Sequence, residues 1–281
     1  MNDIKVCLDK QSFAFKPPNE DAARISNRIG KSIKQLNSEN LRSFALDVSC
    51  DGYTFCPATF KGGIRNKKNF KQQQLFALDF DGGITLQEVY DRTEKYDLPI
   101  LFAYETFSSK NKDKFRVVFL NDVSVTDIRI AEIIQNALIT IFTETDKTCK
   151  DISKMYYGGK KLLKFDSSIP EINIELLIRN MTIYLRNKYG DTHYKEHLKK
   201  FAQSNGIALN NKGMLDISIV EDNSELLFTN KITKNKFSTE NTGANPSNNE
   251  NGKISPNTII VNSVGGFLPK LKYLINLRKC R

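Results

Sequence analysis

Two aspartates one residue apart, Asp79 and Asp81, close an apolar run and precede two glycines in LFALDFDGG, residues 75–83. In a strand, alternate side chains share a face, so both carboxylates point one way and Phe80 points the other. Two carboxylates on one face repel each other unless a cation lies between them. Hard divalent ions such as Mg2+ and Mn2+ favour such an all-oxygen site and bridge it to phosphate oxygens. The same residues fit two other readings. They match the nucleophile and general acid of a phosphatase, and they match the polar end of a buried strand, where Asp and Gly serve the turn.

Basic residues lie around this pair in three groups. Arg65, Lys67, Lys68 and Lys71 precede it, Lys110, Lys112, Lys114 and Arg116 follow, and Lys147, Lys150, Lys154, Lys160 and Lys161 come later. Metal-assisted chemistry on a polyphosphate needs both carboxylates for the cation and Lys or Arg for the remaining phosphate charge. Any one group alone is an ordinary solvated face; three near predicted strand ends point to an anionic substrate. A third carboxylate is expected from Asp146, Asp151 or Asp166. Asp146 is favoured because it follows a long helix and precedes a basic aromatic segment, KMYYGGK, while Asp151 is placed to cap or to pair with Lys150 or Lys154. Gly62, Gly63 and Arg65 are read as a turn near template or nucleotide, and Asn69 and Gln73 as structural.

These residues need strands and helices to hold them. FALDVSC, YTFCPATF, QLFALDF, ILFAYETF and FRVVFL are short β-branched or aromatic runs bounded by turn residues, and read as strands. ITLQEVYDRTEKY, with Ile84, Val89 and Tyr90, reads as a helix. VTDIRIAEIIQNALITIF is a stronger one: Ile130, Ile133, Ile134, Ala137, Leu138 and Ile141 trace one face, with Thr126 as the expected cap. A further helix is expected over DAARISNRIGKSIKQL in an otherwise mixed N-terminal stretch. Residues ~40–170 therefore read as an α/β or α+β domain with a mixed sheet. Beyond Pro170 the chain turns helical, with Gly190 as a stop and a shorter helix over YKEHLKKFAQSNG. The stretch 237–258 is rich in Asn, Ser, Gly and Pro and reads as a linker, and 259–281 as a basic amphipathic segment.

Composition narrows the classes. The 281 residues carry a formal net charge of +10, which favours an anionic partner such as nucleic acid or nucleotide. Five scattered cysteines with no CxxC pair, and only His193 and His197 as histidines, argue against structural zinc. The two histidines read as surface residues. A reduced, cytoplasmic compartment is expected. The start MNDIKVCLDKQ lacks a signal-peptide core, and no apolar run approaches the ~20 residues of a membrane span.

The order of strand with DxD, basic strand, then Asp followed by a basic segment resembles the archaeo-eukaryotic primase superfamily. It is similar in particular to the primase-polymerase (PrimPol-like) replication proteins of phages, plasmids and mobile elements. LFALDFD (75–81), TFSSKNKDKFRVVF (106–119) and TDKTCKDISKMYYGGK (145–160) carry the likeness, over roughly residues 60–165. The resemblance implies an α+β fold: a mixed-sheet catalytic core of primase-polymerase (RRM-like) type over 1–170, with flanking helices and a helical accessory region over 171–236. It implies a nucleotidyltransferase that uses two Mg2+ or Mn2+ ions held by Asp79, Asp81 and Asp146. Its expected partners are a single-stranded DNA template, nucleoside triphosphates and a helicase.

The superfamily's Ser-x-His strand motif falls on Lys114-Phe115-Arg116, so its histidine is absent. Lys114 and Arg116 on one strand face are expected to bind triphosphate instead, with Lys154 toward the phosphates and Arg65 nearby. Two alternatives remain. One is a non-catalytic DNA-binding replication initiator on the same scaffold. The other is a haloacid-dehalogenase-type phosphatase, which LDFDGG resembles, although Gly83 stands where that family has Thr and no later GDxxxD is present.

Overall fold

Phe70–Phe80 (β5) is an eleven-residue strand whose last nine residues are all buried. It lies inside the sheet, covered on both faces, so residues 75–80 are apolar but for Asp79, while buried Gln72 and Gln74 donate to the Lys5 and Asn121 carbonyls. Its neighbours are Ala58–Phe60 (β4) on one side and Phe115–Val125 (β7) on the other; beyond β7 come Phe102–Thr106 (β6) and Gly159–Phe165 (β8). These pairings are antiparallel, and Glu171–Ile172 (β9) adds a short parallel pairing to β7. The computed structural model describes residues 4–216, and these fall in one compact unit. The fold is α+β with a mixed sheet, as expected.

A second, three-stranded sheet joins two strands from the N-terminal stretch read as mixed to one from YTFCPATF, which was expected as a strand. Ile4–Leu8 (β1) is its centre, flanked by Ile33–Leu36 (β2) and Phe55–Cys56 (β3). The expected helix over 21–36 is Asn19–Ile29 (α1) and stops short, because Gly30 and Lys31 turn the chain into β2. A Cβ on Gly30 would lie 2.4 Å from the Gly63 carbonyl oxygen, so only glycine permits this approach. FALDVSC, expected as a strand, is helical within Leu41–Ser49 (α2). Leu41, Phe44, Ala45 and Val48 are all buried and recur at helical spacing, and that period outweighs the strand-like composition of the run. Phe44 packs edge-on against Phe55 and Phe102, tying α2 to both sheets.

Two helices after the DxD run match their sequence pattern closely. Leu86–Lys95 (α3) starts with a capping box in which Thr85 and Glu88 satisfy each other's backbone N–H groups. Ile128–Ile141 (α4) buries Ile130, Ile133, Ile134, Ala137, Leu138 and Ile141. Its cap is Asp127 rather than Thr126, with the carboxylate accepting from the Arg129 amide. The last helix, Ile174–Asn205 (α5), packs on α4 and is broken at Gly190, whose φ of 74° and ψ of 169° are not helical. The helix resumes at once, so Gly190 divides two legs rather than ending the run. Across the break the His197 ring stacks on Tyr189, and within the second leg His193 shares a hydrogen bond with Thr192. Among the described residues no helix is long and apolar enough to cross a membrane. The expected linker 237–258 and basic segment 259–281 lie outside the described residues, as does the end of the 171–236 region.

Candidate functional site

The register of β5 against β7 sets the site. Asp79 lies directly opposite Arg116, and Phe80 opposite Phe115. Directly opposite residues share a face, so the sheet separates an acid–base row from an aromatic one. Phe80 stacks on Phe115 with ring centres 5.0 Å apart and meets Phe142 edge-on at 6.2 Å. These three rings anchor the end of β5 and hold Asp79 on the opposite face. Tyr104 of β6 is also opposite Arg116, extending the polar row across three strands.

Asp79 is 5% exposed and sits in a close set of contacts. Arg116 Nε donates to its Oδ1 at 2.8 Å and Arg116 Nη2 to its Oδ2 at 3.1 Å, a two-pronged pairing. The same guanidinium donates to the Tyr157 carbonyl and lies over the Tyr104 and Tyr156 rings at 5.8 Å from each centre. Burial works against its charge, but Tyr104, Asp79 and their hydrogen bonds outweigh that and raise its pKa. Burial also pushes the Tyr104 hydroxyl up to about 12, so it stays protonated at neutral pH. Arg116 therefore holds Asp79 while also lining the candidate cavity, where a triphosphate contact was expected of it. With both oxygens accepting from Arg116, Asp79 is also poorly placed as the nucleophile a phosphatase needs.

Asp146 reaches the same place from another segment. Its backbone N–H donates to the Asp79 carbonyl at 2.8 Å, which ties the loop after α4 to the end of β5. Lys154 joins the two carboxylates: its Nζ is 3.0 Å from Asp146 Oδ2 and 3.5 Å from Asp79 Oδ2. It also donates to Thr148 Oγ at 2.8 Å. Burial favours the neutral form of Asp146, but hydrogen bonds from the Thr148 hydroxyl and amide and from Lys154 outweigh it, leaving its pKa at about 2. Burial likewise disfavours charge on Lys154, and Cys149, Asp79 and Asp146 reverse this, so its pKa is raised.

Asp81 stands at the open edge. Its side chain is 57% exposed and faces Lys114 Nζ at 3.6 Å. Gly82 and Gly83, with φ of 116° and 80°, turn the chain away toward α3. Asp79, Asp81 and Asp146 line one cavity of about 200 Å³ together with Lys16, Thr106, Phe107, Ser108, Arg116, Lys154, Met155, Tyr157 and Gly158.

The other candidates lie elsewhere. Asp151 caps its own loop through Ser153, and Asp166 does the same through Ser168. The turn at Lys61–Gly63 packs on Gly30 and Lys31. Arg65 donates to Ser26 Oγ at 2.6 Å and to the Ser153 carbonyl, and it does not line the cavity. The expected place of Arg65 near nucleotide gives way to a structural one, bracing α1 against the 151–153 loop. Lys16 was not singled out in the sequence, because it stands alone in a loop before two prolines, outside any basic group.

The carboxylate oxygens are hard donors and suit Mg2+ or Mn2+ in chemistry. Among the described residues, no three ligating side chains are grouped closely enough to hold an ion by themselves.

No family model matches the sequence, and no curated protein matches it. Among solved structures, the chain is similar to the AEP domain of the cyanophage S-2L primase-polymerase (PrimPol). The TM-score is 0.40 at 12% identity, over 63% of this chain and 89% of that one.

Proposed function

We propose that the protein is a primase-polymerase-type nucleotidyltransferase of DNA replication, joining nucleoside triphosphates to a 3′-hydroxyl on a single-stranded template. The observation that carries this reading is the convergence of Asp79, Asp81 and Asp146 on one cavity that Lys16, Arg116 and Lys154 also line. Divalent ions arriving with the triphosphate would be held by these carboxylates, and would activate the hydroxyl and offset phosphate charge. Arg116 fixes the plane and position of Asp79. Lys154 keeps Asp79 and Asp146 from repelling one another while the site is empty of phosphate. Pockets that bury a drug-sized ligand run from about 300 Å³ upward. At about 200 Å³, this one suits the phosphate end of a nucleotide and leaves the base outside, where a template base can pair with it. A helicase partner belongs to the same reading.

The test is extension of a primer on a single-stranded template with Mg2+ or Mn2+ and nucleoside triphosphates. Synthesis by the wild type and its loss in Asp81→Asn are expected; wild-type rates in Asp81→Asn would refute the assignment.

One observation favours a second reading. Asp79 is already neutralised by Arg116 and Lys154, as a scaffold that only binds DNA would tolerate. That reading predicts salt-dependent DNA binding, unchanged in Asp81→Asn, with no synthesis under either ion.

A further inference from the structure

Three cations line the cavity, and they differ in what they already hold. Arg116 pairs with Asp79, and Lys154 lies between Asp79 and Asp146. At the rim, Lys114 faces Asp81. Lys16 is the third lining cation. Among the described residues it has no ion-pair or hydrogen-bond partner, so its charge is not matched within the site.

The fold holds Lys16 in place without using its ammonium group. It lies between β1 and α1, just before Pro17 and Pro18, and Pro17 is buried. Pro18 has φ −65° and ψ 163° and leads directly into α1. Proline fixes its own φ and restricts the residue before it to extended conformations, so the loop presents Lys16 at small entropic cost. Gly158, also in the cavity wall, is a further constraint: a Cβ there would lie 2.3 Å from the Gly52 carbonyl carbon. Position 158 thus has no room for a larger residue. Phe107, Met155 and Tyr157 also line the cavity.

The three carboxylates are already faced by Arg116, Lys154 and Lys114, so a polyphosphate is met most favourably by a cation that they have not taken. We infer that Lys16 is that cation. It anchors the outer phosphates of a nucleoside triphosphate, whose inner phosphate lies toward Asp79, Asp81 and Asp146. This rests on the nucleotidyltransferase reading and adds a binding residue to it. A polynucleotide backbone has the same phosphate chemistry, but a cavity of about 200 Å³ suits the end of a small ligand better than a passing strand.

Calorimetric titration of the full chain with a non-hydrolysable nucleoside triphosphate, in the presence of Mg2+, separates the outcomes. Lys16→Ala is expected to weaken that binding about tenfold, in the range of one charge-assisted hydrogen bond at an accessible site. Lys16→Arg should stay within about threefold of wild type, since it keeps the charge. Affinity for the matching monophosphate and for a single-stranded oligonucleotide should be unchanged in both variants. Thermal melting checks that the exposed substitution leaves the fold intact. Wild-type triphosphate affinity in Lys16→Ala overturns the proposal and leaves the broader reading standing. Equal losses for triphosphate and oligonucleotide also overturn it, by making Lys16 a strand contact. A wild-type protein that binds no triphosphate overturns both.

Discussion

Asp79 faces a cation across the β5–β7 pair and Asp81 faces one just past its end, but the two acid–base pairs are physically unlike. In the inner pair, side-chain exposure is 11% for Arg116 and 7% for Asp79, with a 2.8 Å contact and stacked tyrosines. In the outer pair it is 33% for Lys114 and 57% for Asp81, at 3.6 Å. Exposed pairs of this kind contribute about 0–1 kcal/mol, because water screens them and long side chains lose entropy. A buried pair behaves differently: removing one partner leaves a desolvated charge with nothing to offset it. Two aspartates that look equivalent in LFALDFDGG therefore have different duties. The inner one is held by the fold's own buried cations, while the outer one is largely open to solvent.

The largest effect expected from this contrast is in stability. Asp79→Ala should lower unfolding free energy by about 3–5 kcal/mol, the cost of leaving a buried Arg116 unpaired. Asp81→Ala should stay within about 0.5 kcal/mol of wild type, as surface substitutions usually do. Both should lose template-directed synthesis. Urea unfolding of the two variants makes the comparison directly. Equal stability of the pair would mean that Asp79 is no more part of the fold than Asp81.

Much of this arrangement was legible in the residues, and the rest was hidden for physical reasons. The alternation in QLFALDF gives the two faces and the direction of Phe80. The period of Ile130 to Ile141 gives α4, and its length brings the chain to Asp146. A short apolar run such as FALDVSC carries both strand and helix signals, and only the contacts of Phe44 with Phe55 and Phe102 decide between them. β1 was missed because IKVCL pairs with segments some 30 and 50 residues away. Charge type could be read at Arg116, but register could not, so its direct cross-strand pairing with Asp79 was hidden. Lys16 had no local signal, since a single lysine before two prolines enters the cavity only by tertiary placement.

A smaller effect sharpens the same comparison through the cations. Arg116→Lys keeps the charge but loses the two-pronged geometry and the contact with the Tyr157 carbonyl. A loss of roughly 2 kcal/mol is expected, from hydrogen bonds to charged groups that a lysine cannot replace. Lys114→Ala should cost less than about 1 kcal/mol. Chemical denaturation measures both. A lysine tolerated at 116 as easily as alanine at 114 would show that the inner pair needs only charge, not shape.

Asp146 tests the contrast from outside the DxD pair, and here the expected effect is smallest. Its carboxyl titrates at about 2, against an ordinary 3.8, because the Thr148 and Lys154 hydrogen bonds outweigh burial. A folded-state pKa below the unfolded value means the ionised form is stabilised by folding. That contribution is complete above pH ~4 and is lost as the pH falls from about 4 through about 2. Thr148→Val removes the hydroxyl donor and should raise the Asp146 midpoint, shrinking the acid-sensitive part of its stability. Carboxyl-carbon NMR through an acid titration reads this residue alone. An unshifted midpoint in Thr148→Val would leave Lys154 as the dominant support, and Asp146 would then depend on the same internal cation as Asp79 rather than on its own loop.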